Sequence, residues 1–219
     1  WGLGAHVVKC GLSTIIIDLM KRDLVSAVAM NGAGCIHDVE VALVGETSED
    51  VSEELEKDTF GMAEETARLI SESLDRRGDG DSGMGELVGK KLVEIQAPYV
   101  NYSILGNGTK QEVPVTIHVA IGTDTIHMHP RISGETLGRA SLHDFSLLAG
   151  IIACLGQGGV YINVGSAVIL PEAFLKALTL ARNTGCDVSG FTTVNLDMYQ
   201  HYRPLQNVIR RPTATDGKG

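Results

Sequence analysis

The stretch SAVAMNGAGCIHDVEVAL, residues 26–43, decides how this chain is read. It begins as a small apolar strand, opens into Asn31-Gly32-Ala33-Gly34, and resumes at once with His37, Asp38 and Glu40. Glycines let the backbone approach a phosphate or ribose closely, and the free N–H groups of a following helix attract anions. A strand that breaks this way therefore suits a nucleotide-contacting turn, with Gly32, Ala33 and Gly34 at its tip and His37 and Asp38 just beyond. Taken alone, the pattern fits a tight structural turn equally well, because it is not GxGxxG and no acidic residue ends the following strand.

Outward from that stretch the same event repeats. Apolar, β-branched runs at 25–30, 113–121, 158–165 and 190–197 read as buried parallel strands. The second ends in GTDTIHMHP, with Asp124, His127 and His129; the third in NVGSAV, with Asn163, Gly165 and Ser166; the fourth in TTVNLD, with Asn195 and Asp197. In an open parallel sheet the carboxyl ends of the strands meet at one crevice. Four apolar strands ending in Gly, Asn, Asp or His favour a shared ligand cleft over loops that merely satisfy their own backbone. Near the start, GLGAHVVKCG adds His6 and Lys9.

Helical patterns separate the strands. Residues 13–23 and 141–155 read as helices, the latter with Ser141 as cap, Asp144 three positions on and His143 in the first turn. A third runs from Pro171, suited to a first turn, to Gly185, a stop signal. The alternation predicts an α/β fold, a mostly parallel sheet with helices on both faces. Residues 46–97 are charged and helical in period, interrupted by RRGDGDSGMG, and read as a helical insertion over the sheet within a single domain spanning 1–219. The acidic SEDVSEELEKD within it reads as a solvated helix face rather than a partner surface.

Composition bounds the function. With 219 residues and 43% hydrophobic content the chain can bury one continuous core. A net charge of -9 argues against a general phosphate-backbone binder, so nucleic acid is not expected as a partner. Cys10, Cys35, Cys154 and Cys186 are scattered with no CxxC pair. They imply no disulfides and suit a reducing cytoplasm, where Cys10 and Cys35 are expected as small hydrophobes rather than reactive thiols. No apolar run approaches the roughly 20 residues of a membrane span. Trp1 opens the chain without a methionine and the 219 end reads as a tail, so a longer polypeptide with further residues at both ends is expected.

The order GAHVVKCGLS, AMNGAGCIHD, VPVTIHVAIGTD, GGVYINVGSAV and FTTVNLD resembles deoxyhypusine synthase, above all its bacterial homologues. The similarity runs through most of the chain and is weakest across 46–97. The resemblance implies a Rossmann-like sheet, NAD as cofactor, a homotetramer with sites at subunit contacts, and a polyamine or similar small amine as substrate. It implies a transferase reaction in which NAD oxidises the amine and an aminoalkyl group moves through a lysine imine. It places Asn31, Gly32, Ala33, Gly34, His37 and Asp38 against NAD, Asp124 on a ribose, Gly165 and Ser166 in the glycine-rich turn, and Asn195 at a later strand end. The polyamine half departs. His129 stands where the family has an amine-gripping aspartate, VILPE replaces paired histidines, and the tryptophan-glycine-lysine signature around the imine lysine is replaced by DGKG, with Lys218 in a comparable place.

On this reading Lys218 is the candidate imine-former, with Lys9 a second candidate, and His127 or His129 handles a proton or orients substrate. Two other readings stay open. His118, Asp124, His127 and His129 compose a conceivable metal site for a hydrolase, since the H-x-H pair would share a strand face. A homologue that has lost the transfer lysine would bind nucleotide without catalysis.

Overall fold

The computed structural model describes residues 1–48, 51–56, 58, 61, 63–75 and 82–219; the side chains of 51 and 53 are likewise outside the description. Most of the loop predicted at 76–85 therefore lies outside the described residues, as does part of the acidic segment at 48–58.

Strand β1 (Gly2–Leu3) leads into two short helices, α1 (His6–Lys9) and α2 (Ser13–Lys21). The opening stretch follows as β2 (Val28–Asn31) and α3 (Gly32–Val44), then α4 (Val51–Glu56), α5 (Glu64–Leu74), α6 (Met84–Glu94) and α7 (Ile104–Lys110). Strand β3 (Val115–His118), a 3-10 turn over Thr125–Met128, α8 (Gly134–Ala153), β4 (Val160–Val164), α9 (Ile169–Asn183) and β5 (Thr192–Leu196) complete the alternation. A helical turn, Tyr202–Pro204, runs into a π-helical segment, Leu205–Arg210. Among the described residues the strands form one parallel sheet in the order β3-β2-β1-β4-β5. That order is the doubly wound one, with its topological switch point between β1 and β4.

Side-chain alternation along β2 separates the two faces. Val28 and Met30 enter one core with Leu3, Val115 and Ile117, covered by α2, α3, α5, α6 and α7. Ala29 enters the other with Tyr161, covered by α8 and α9 through Leu148, Ile152, Phe174 and Leu178. Tyr161 and Phe174 stack with ring centroids 3.8 Å apart.

Three features refine the expectations. The strand β1 has only two residues, too short to show periodicity, yet it sits at the centre of the sheet. The segment read as a helical insertion over the sheet packs deeply against it: Leu69, Ile70 and Leu74 of α5 and Met84, Leu87, Val88 and Leu92 of α6 belong to the same core as β1–β3. Helix α8 starts at Gly134 with Ser133 as cap, so Ser141, His143 and Asp144 lie inside it. Asp144 is fully buried, and its Oδ2 accepts from Gly85 N–H of α6 at 3.0 Å and Ile117 N–H of β3 at 2.8 Å. It fastens three elements together rather than capping its own. No helix among the described residues is long and apolar enough to cross a membrane.

Candidate functional site

Parallel register brings the strand ends level. Leu3 pairs with Met30 and Val164, Asn31 with His118, and Val164 with Leu196. Gly4, Gly32, Val119, Gly165 and Asp197, the residues just after these, therefore share one rim. At the switch point the backbones nearly touch: a Cβ on Gly4 would lie 2.0 Å from the Gly165 carbonyl oxygen. Gly165 turns with φ +61 and faces open space.

The turn after β2 is closed from inside. Asn31 Oδ1 accepts from Gly34 N–H at 2.9 Å and caps α3. Asp124 comes across from the β3 end, and a Cβ on Gly32 would meet its Oδ2 at 2.1 Å. Burial pushes the Asp124 carboxyl up, against the opposing pull of His127 and the N–H groups of Ala120 and Ala33. The first turn of α3 thus already faces a carboxyl: at Gly32 the space expected to cradle a phosphate is taken by Asp124, while Ala33 lines the adjoining pocket.

Asp124 is itself incompletely satisfied: among the described residues its Oδ2 has no hydrogen-bond partner, nor has His127 Nε2, 3.9 Å away. His127 Nδ1 accepts from Gly122 N–H at 3.2 Å. Asp124 lines a pocket of about 190 Å³ with Lys9, Ala33, His37, Glu40 and Thr125. An orphaned carboxylate oxygen in a pocket wall suits a hydroxyl or ammonium donor, since a buried acceptor without a partner costs roughly 1–3 kcal/mol. A ribose hydroxyl would meet that need, so the residues present fit the sugar of a dinucleotide at Asp124, with Gly32 itself closed to a phosphate by the carboxyl.

His37 enters the same pocket from α3. Its Nδ1 lies 3.1 Å from Glu40 Oε2 and 2.7 Å from Thr47 Oγ1, and Thr47 Oγ–H also donates to Glu40. Burial works to raise the Glu40 carboxyl, but the hydrogen bonds from His37 and Thr47 prevail and hold it below the usual carboxylate range.

The other expected residues divide. Gly165, Ser166 and Asn195 cluster at the β4–β5 rim, where Asn163 Nδ2 donates to Ser166 O at 2.9 Å and to Asn195 Oδ1 at 2.7 Å. Asp38 does not reach the rim. It is fully buried on the far side of α3, accepting from Ser103 Oγ, Ile104 N–H and Leu105 N–H at 2.5, 2.7 and 3.0 Å, so it caps α7 rather than touching a ligand. His129 is buried, its Nε2 2.9 Å from Glu64 Oε2 and its Nδ1 accepting from Arg131 N–H, which ties it to α5. His118 turns to the α8–α9 face, bonded to Thr116 Oγ1 at 3.0 Å, with burial pulling its imidazole down to about 4. His118 and His129 thus leave Asp124 and His127 in different directions. Among the described residues no three His, Cys, Asp or Glu side chains converge as a metal site.

Lys218 is at the opposite end of the sheet. Its backbone bridges to Thr192, the first residue of β5, with Thr193 N–H donating to its carbonyl at 2.7 Å. Leu196 marks the rim four residues later, about 13 Å away at 3.3 Å per residue. Within one protomer Lys218 cannot serve this pocket; Lys9 stands in its wall.

Glu40 and Thr47 were missed. The His37–Glu40 spacing of three on a helix is a legible pairing signal; Thr47, beyond the αL stop at Gly45, gave none. The chain matches no protein-family model and no curated protein sequence.

Proposed function

We propose that this chain is an NAD-dependent enzyme of the deoxyhypusine synthase type, with that family's variant of the doubly wound fold, oxidising a small amine and carrying its aminoalkyl group on a lysine. The supporting observation is the β3-β2-β1-β4-β5 rim, where Asp124 lines a pocket at the carboxyl ends of parallel strands. The bound cofactor would supply hydride acceptance. The Asp124 carboxylate in the pocket wall accepts a ribose hydroxyl, and Gly165 lets the chain pass close beside the switch point. Glu40 and Asp124 outnumber Lys9 in the wall, which favours an ammonium-bearing substrate. Lys9 replaces Lys218 as the imine-forming candidate; attack requires its neutral amine.

At about 190 Å³ the pocket is smaller than the roughly 300–1,000 Å³ of a drug-sized site, so the dinucleotide extends along the open rim. Ile121, Met128, Met198 and Tyr199 stand 71%, 57%, 87% and 68% exposed on the segments after β3 and β5. Their cover by a second protomer, within a homotetramer in the cytoplasm, suits this reading.

Thermal unfolding against NAD, NADP and a set of polyamines tests it. A ligand at a hundred times its Kd adds about 2.7 kcal/mol, or a Tm rise of about 5–10 °C for a chain of this size. NAD should give such a rise and a polyamine a further one. No rise with either dinucleotide refutes the proposal, and a rise with NAD but no amine oxidation marks a non-catalytic nucleotide binder.

A further inference from the structure

Two side chains of α3 and one from the loop after it form a unit that the reaction as proposed so far does not use. His37 and Glu40 both line the rim pocket, and their side chains are only 17% and 18% exposed. Glu40 Oε2 sits 3.1 Å from His37 Nδ1, and Thr47 Oγ1 2.7 Å from the same nitrogen. A lone pair on Nδ1 would face an ionised carboxylate at that separation and be repelled by it. The arrangement therefore selects the tautomer with its proton on Nδ1, donated to Glu40 and shared with Thr47. Nε2 is left with its lone pair and has no hydrogen-bond partner among the described residues. A carboxylate behind an imidazole both fixes the ring's orientation and stabilises the imidazolium formed when the far nitrogen takes a proton.

The other histidines near the rim have different neighbours: His129 is held by Glu64 and Arg131, and His127 Nε2 lies 3.9 Å from Asp124 Oδ2, outside the residues that line the pocket. The charged groups sharing the pocket with His37 among the described residues are Glu40 on its own helix, Lys9 from α1 and Asp124 after β3.

We propose that His37, oriented by Glu40 and Thr47, is the proton acceptor of the rim pocket, taking a proton through Nε2 from the nitrogen of an amine as that amine is oxidised. The step rests on the function proposed above and balances as follows. The carbon beside the nitrogen releases a hydride to the oxidised nicotinamide, the N–H bond breaks toward His37 Nε2, and its electron pair forms the C=N bond. The products are an imine, reduced nicotinamide and a His37 imidazolium, whose proton then leaves to solvent. Glu40 is a positioning residue, acting only through the imidazole.

Two readouts separate this inference from the broader one. In long-range proton–nitrogen spectra of the histidine side chains, assigned through the signal lost in His37→Asn, the neutral His37 ring should carry its proton on Nδ1. Glu40→Gln should reduce that preference. A neutral ring protonated on Nε2 overturns the inference whatever the protein turns over. With an amine that the wild type oxidises, His37→Ala should lower kcat about 100-fold and recover activity with added imidazole. Retention of kcat within twofold overturns the inference while leaving the proposed function standing. If the wild type binds no dinucleotide and oxidises no amine, the function falls and the amine step falls with it, and the tautomer alone then decides whether His37 presents a basic nitrogen to the pocket.

Discussion

Asp124 shows how one residue's surroundings fix both a backbone requirement and a chemical opportunity. Gly32 has no side chain because Asp124 occupies that space, 2.1 Å from where a Cβ would be. Gly32→Ala should push the carboxylate out of the pocket wall, cutting the NAD-dependent rise in Tm by at least half while the ligand-free protein loses about 1–3 kcal/mol in denaturant unfolding. Asp144 offers a test without ligand. Burial raises its carboxyl to about 7, against the opposing hydrogen bonds of Ile117 and Gly85. The folded state then binds the proton more tightly than the unfolded one, so the stability this group contributes is present below about pH 4 and is lost as pH rises toward 7. His118, pulled down to about 4 by burial, acts oppositely, and its share is lost as pH falls from about 6.5 to 4. Between about pH 6.5 and 7 only the Asp144 contribution still changes among these two. Denaturant midpoints should accordingly show the wild type losing stability relative to Asp144→Asn as pH rises from about 5 to 7, with the difference constant above about pH 7.

At the scale of elements, close backbone contact determines which glycines matter. Gly85, in the first turn of α6, lets the helix lie on β3, where a Cβ would stand 1.8 Å from the Val115 carbonyl oxygen. Gly138 lies on the exposed side of α8, and no atom of the described residues comes within 4 Å of its would-be Cβ. Gly85→Ala should cost about 3 kcal/mol or more and lower Tm by about 6–12 °C. Gly138→Ala should gain up to about 1 kcal/mol from helix propensity and raise Tm by about 2–4 °C. Sequence pattern made the same residue type visible in both helices but could not rank them, because the Val115 carbonyl approaches Gly85 only once α6 is packed on the sheet.

For the molecule as a whole, the two ends of the sheet separate rival lysines. Lys9 lines the rim pocket, and Lys218 pairs with Thr192 at the amino end of β5. If an amine-derived imine forms, borohydride trapping of labelled substrate should persist in Lys218→Ala and disappear in Lys9→Ala. Loss of trapping in Lys218→Ala alone would contradict the geometry of a single protomer and move the reaction to a site shared between copies.

The sequence by itself determined the alternation of strands and helices and the polar endings of β2, β3, β4 and β5, because burial on both faces demands apolar runs and a turn at the rim demands glycine and short polar side chains. It also placed Asp124, Gly165 and Asn195 at strand ends, a local property of each segment. Only the tertiary structure decided which of those groups meet. It inserted the two-residue β1 at the centre of the sheet, turned Asp38 inward to cap α7, and drew His129 away to Glu64. It also set Glu40 and Thr47 behind His37 and sent Lys218 to the far edge. Each of these depends on contacts between segments distant in the chain or on the path a loop takes, and no local run of residues carries that information.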